Sequence, residues 1–131
     1  MGRVARMQGE NPQRILQIYQ ERLLGRYPDY APGFEAAGEI ALEGYGYDLA
    51  EKYFRSALAL DGTRQDALAG LAATYHASGD PRFEAVRKEL EAINPYHPRL
   101  LCLMIERLLT AGDADGAAVR LDALLAINPV H

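Results

Sequence analysis

The sequence predicts an all-α protein, a solenoid of stacked antiparallel helix pairs with about seven helices. Three observations predict it. Apolar residues recur at helical spacing from Ile15 to Ile127, and no alternating β-branched stretch suits a strand. Pro and Gly interrupt that pattern where helices start and stop. The stops themselves recur: Pro28, Gly62, Pro95 and Pro129 lie 34, 33 and 34 residues apart. A period of roughly 20–50 residues is the mark of a stacked repeat.

The bulk properties agree. A chain of 131 residues suits one domain with a real core, and 49% apolar with 24% charged residues is ordinary globular composition. Ala, Leu, Glu and Arg dominate, and such side chains lose little rotamer freedom in a helix. The formal net charge of -4 is too mild to imply nucleic acid or a membrane surface, and basic residues gather on no single helical face. Cys102 is the one cysteine, so no internal disulfide forms. No apolar run approaches the ~18 residues of a membrane span. Residues 1–10 show no periodicity and are expected to be disordered; no signal peptide is read in them, and a cytoplasmic location is expected.

The elements follow in order. Asn11-Pro12 offers a cap and a Pro start for a helix to about Arg26, with Ile15, Leu16, Tyr19, Leu23 and Leu24 as its stripe. Pro32 opens the next helix, where small residues at Ala37, Gly38 and Ala41 let a neighbour approach closely. Gly44-Tyr45-Gly46 ends it. A helix from about Tyr47 to Leu60 stops at Asp61-Gly62, with Gly62 in the usual place past a helix end. Thr63-Arg64-Gln65-Asp66 is close to a capping box and starts a helix to about Ser78. Gly79-Asp80-Pro81 reads as turn, cap and Pro start of the helix that stops at Asn94-Pro95. His97-Pro98 begins another, with His97 as a capping or turn residue. After the Gly112-Asp113 turn, the last helix carries Leu121, Leu124, Leu125 and Ile127 before Asn128-Pro129.

A two-helix unit of about 34 residues resembles the tetratricopeptide repeat. That family sets bulky and small residues at fixed places in both helices. Phe34, Ala37, Gly38, Ala41, Ala50, Phe54, Ala57 and Gly62 stand in those places in the first full repeat. Leu68, Leu71, Ala72 and Tyr75 do so in the second, which then loses one residue. Leu101, Met104, Ile105, Leu108, Leu121, Leu124 and Pro129 do so in the third. The resemblance divides residues 11–131 into a half repeat (12–30) and repeats 31–64, 65–97 and 98–131, wound as a right-handed solenoid.

The resemblance also implies a site. Such arrays line a concave groove with the first helix of each repeat. The matching positions here are Pro32, Glu35, Glu39, Leu42 and Glu43, then Asp66, Ala69, Ala73, His76 and Ala77, then Arg99, Cys102, Glu106, Leu109 and Thr110. The groove is expected to be acidic at one end, small and apolar in the middle, and mixed at the other. It would take a protein or a basic or amphipathic peptide. Glu35, Glu39 and Glu43 at i, i+4 spacing equally suit a solvated helix face. Lys and Asn residues that hold a peptide carboxylate in chaperone-binding relatives are missing, so that activity is excluded. His76, Cys102 and Glu106 do not make a metal site or a Cys–His nucleophile. No catalytic residue, cofactor or metal is expected.

The expected function is a non-catalytic protein-interaction scaffold. One alternative is a non-catalytic segment of a larger enzyme or assembly factor that presents a substrate protein. A second is a structural self-assembly module using the apolar stripe Leu121, Leu124 and Leu125, which gives a homo-oligomer through uncapped ends.

Overall fold

The computed structural model describes residues 29–127. Within them the chain forms six helices and no strand. They are α1 (Ala31–Glu43), α2 (Tyr47–Leu60), α3 (Gln65–Ser78), α4 (Phe83–Ile93), α5 (Pro98–Thr110) and α6 (Ala114–Ile127). The expected first helix to Arg26 in the half repeat 12–30, the segment 1–10 and the Asn128-Pro129 stop lie outside the described residues. None of the described helices is long and apolar enough to cross a membrane.

The helix boundaries have local causes, and some differ from expectation. Pro32 sits in the first turn of α1, where its missing N–H costs nothing. The chain turns into α2 through Tyr45, whose φ of 62° is left-handed. Thr63 caps nothing: the N-cap of α3 is Arg64, without a side-chain cap bond. The Asp61 carboxylate wins the competition by accepting from both the Thr63 N–H (3.0 Å) and its hydroxyl (2.7 Å). Asp61 itself leaves α2 in extended backbone, and Gly62 is not left-handed. Gly79, at φ 71°, closes α3 in the left-handed conformation, and Gly112, at φ 84°, follows α5 in the same way. Pro81 lies before α4 instead of inside it, because Asp80 folds back onto the Arg82 N–H (2.9 Å) and delays the start to Phe83. Asp113 caps α6 by accepting from the Gly116 N–H at 2.9 Å.

Helices pack as neighbours along the chain, α1 on α2, α2 on α3, α3 on α4 and α5 on α6. In addition α3 touches both α1 and α5. That makes α3 the hub, and every residue from Ala67 to Tyr75 is buried. A helix apolar on all sides belongs inside a protein. One core cluster runs from Ala37 through Phe54, Leu71, Tyr75, Phe83 and Leu90 to Leu100 and Leu103.

The tightest point is the Phe54 ring, fully buried between two glycines. A Cβ at Gly38 of α1 would stand 2.8 Å from the ring, and one at Gly70 of α3 only 2.3 Å. Side chains at those places would force α1 and α3 away from α2. The expected close approach at Gly38 is therefore made by one aromatic ring, which Gly70 shares.

Candidate functional site

Four of the expected groove residues form two pairs between helices. Glu39 of α1 and Arg99 of α5, 60 residues apart, form a two-pronged ion pair, with Arg99 Nη2 donating to Glu39 Oε1 at 3.1 Å and Nη1 to Oε2. Guanidinium and carboxylate match as planar forks, which makes such pairs directional. Further along α3 and α5, His76 Nε2 lies 2.9 Å from Glu106 Oε2. Arg107 reaches His76 Nδ1 at 3.3 Å and lays its guanidinium 4.2 Å above the Phe83 ring.

Other groove expectations fare differently. Glu35 is buried, and Arg64 holds it with Nε to Oε2 at 2.6 Å and Nη2 to Oε1 at 2.9 Å. Ala69 and Ala73 belong to the core. The acidic end is thus largely compensated from within, and the small apolar middle is interior. Close packing of α1 and α5 on α3 covers residues that repeat register alone would leave open. Leu42 is half-buried against the core, and Glu43 is exposed at the end of α1. Asp66, whose side chain is 80% exposed, Cys102, Glu106 and Leu109 present open surface. On α6, Leu121 and Leu125 are 45% and 47% exposed, while Leu124 is half-buried.

A second polar cluster had no signal beyond the Glu51–Arg55 spacing. The Tyr75 hydroxyl donates to Glu51 and accepts from Arg55 Nη2 at 2.6 Å. Arg82 lies over the Tyr75 ring at 4.7 Å and pairs with Glu51 and Asp80, both at 2.8 Å. The Tyr75 bond holds the Glu51 carboxyl below the usual range, with Arg55 and Arg82 adding to it. Burial, reinforced by Glu51, pushes the Tyr75 phenol up. Glu51, Tyr75, Asp80 and Arg82 line an open cleft of about 270 Å³ with Tyr47 and Asp48. Their charges compensate one another, and the cluster ties α2 to α3 and to the turn after it.

His97 has the role its place before Pro98 suggests. Its Nδ1 accepts from the Arg99 N–H at 3.2 Å and caps α5. Burial lowers its pKa; Asp66, 3.9 Å from Nε2, opposes that and Arg99 adds to it. A folded pKa below the unfolded value means the cap stabilises fully above about pH 6.5 and is lost as pH falls through the folded value. Protonation also removes the acceptor at Nδ1. Denaturant titrations at two pH values on either side should show the wild type losing about 1 kcal/mol on acidification. His97→Asn, which keeps an acceptor that does not titrate, should lose measurably less.

Among the described residues no three His, Cys, Asp or Glu side chains converge as a metal site. No protein-family model matches the chain, and no curated protein matches it.

Proposed function

We propose that this chain is a non-catalytic scaffold of tetratricopeptide-like repeats, a right-handed α-solenoid that binds a protein or peptide segment on the face of α1, α3 and α5. One observation supports this above the others. Glu39 pairs with Arg99 and His76 with Glu106, so residues of the expected groove row link the leading helices of three successive pairs. Each pair, α1/α2, α3/α4 and α5/α6, packs internally, and the leading helices also touch in sequence. Units of this kind bury their apolar faces by stacking.

The partner chemistry is mixed rather than simply basic, because Glu35 and Glu39 already hold arginines. Asp66, beside the start of α5, and Glu106 offer exposed acid, and Leu109 an exposed apolar side chain one turn after Glu106. An amphipathic segment with a basic residue fits that surface. The test starts from peptides selected by display from a random library. Asp66→Lys and Leu109→Lys should each weaken a selected peptide about tenfold. Lys52→Glu, on exposed α2 surface, should leave it unchanged. Equal binding by all three would remove the proposal.

A second reading, self-assembly, is favoured by α6. Leu121 and Leu124 occupy the repeat positions of Phe54 and Ala57, which are fully buried beneath α3. Leu121 is 45% exposed instead. If this face joins copies, sedimentation of the wild type should show a concentration-dependent oligomer that Leu121→Glu with Leu125→Lys dissolves. A wild-type monomer at all concentrations would rule it out.

A further inference from the structure

We propose that the Glu39–Arg99 pair is a reversible clasp that sets the spacing of α1 and α5 across α3. Both helices pack on α3, and in the middle of its expected groove row, between Asp66 and His76, that hub contributes only the short side chains Ala69 and Ala73. With so little bulk between them, the outer helices come close enough for two long side chains to span the gap. The clasp is open to water: its side chains are 35% and 40% exposed. Salt and solvent compete with an ion pair in that setting, so it closes the face without locking it.

Among the described residues the same chemistry also occurs in a fixed form. Arg64 and Glu35 make an equally two-pronged pair, but the Glu35 side chain is only 11% exposed. Water reaches that carboxylate poorly, so the pair stays closed under salt that opens the other. The chain therefore carries one permanent tie from α1 to the start of α3 and one adjustable tie from α1 to α5. The width of the face follows ionic strength, and it would widen for any molecule that captures either exposed charge. The clasp belongs to the free chain and does not depend on the proposed binding function.

Cys102 makes the test direct. It is exposed on α5 in the turn after Arg99, and it is the one thiol in the sequence. A spin label there and another at Tyr45→Cys, at the exposed turn after α1, report the α1–α5 distance by double electron–electron resonance. Wild type should give mainly the short distance at about 0.05 M salt and a longer population near 1 M. Glu39→Gln and Arg99→Gln should each raise the open-to-closed ratio at low salt about two- to fivefold and remove most of the salt response. The swapped pair Glu39→Arg with Arg99→Glu should restore both. Single variants with wild-type distances, or variants as salt-sensitive as the wild type, would overturn the proposal.

Discussion

Replacing Phe54 with alanine is expected to lower folding stability by about 3–5 kcal/mol, read as a shift of the urea midpoint. Against a typical total of about 5–15 kcal/mol, that leaves a protein near its unfolding threshold. The ring is completely buried and fills the space where α1, α2 and α3 meet. Collapse cannot refill that space easily, because the two facing positions are glycines with no side chains to rearrange. The reciprocal substitution is as informative. Gly70→Ala should gain about 1 kcal/mol in helix propensity, yet it should destabilise by about 1–3 kcal/mol overall. Its Cβ would strike a ring that Gly38 blocks from the other side. Combining Gly70→Ala with Phe54→Leu should cost less than the two separate losses, since the smaller residue makes room. Additive losses would mean that the ring and the glycines do not act together.

The second large effect concerns Arg64. Arg64→Met should cost about 1–3 kcal/mol, because Glu35 is left as a buried carboxylate without its partner. The backbone start of α3 is unaffected, since Arg64 caps it with no side-chain bond. Replacing both residues, Glu35→Met with Arg64→Met, should recover most of that loss: an apolar pair has no charge to desolvate. A double variant less stable than Arg64→Met alone would show that the pair itself, and not the stranded charge, governs stability. Stability at neutral pH, by denaturant titration of the wild type and both variants, decides between them.

The helices were readable where local chemistry writes their ends. Pro32, the Gly44-Tyr45-Gly46 turn, His97-Pro98 and Gly112-Asp113 all mark boundaries that the structure shares. The reading failed where two local candidates compete for one backbone group. Asp61 displaced Thr63 at the start of α3, and Asp80 delayed α4 past Pro81. Both outcomes turn on which carboxylate reaches an N–H, and spacing does not encode that. Part of the groove row pairs across helices, Glu39 with Arg99 and His76 with Glu106. Its exposure was not legible. Arg64 lies 29 residues from Glu35, and no helical periodicity links them. The burial of Ala69 and Ala73 did have a signal: from Ala67 to Tyr75 the chain carries no charged residue, so α3 lacks the polar side of a surface helix.

The proposed function requires a partner segment to bind across α1, α3 and α5. Amide shift mapping tests it directly, by titrating the isotope-labelled protein with a display-selected peptide. Shifts should concentrate on Glu39 to Glu43, Asp66 to Ser78 and Arg99 to Thr110. Perturbations centred instead on exposed positions of the following helices, such as Lys52, Lys88 and Glu89, would contradict the claim.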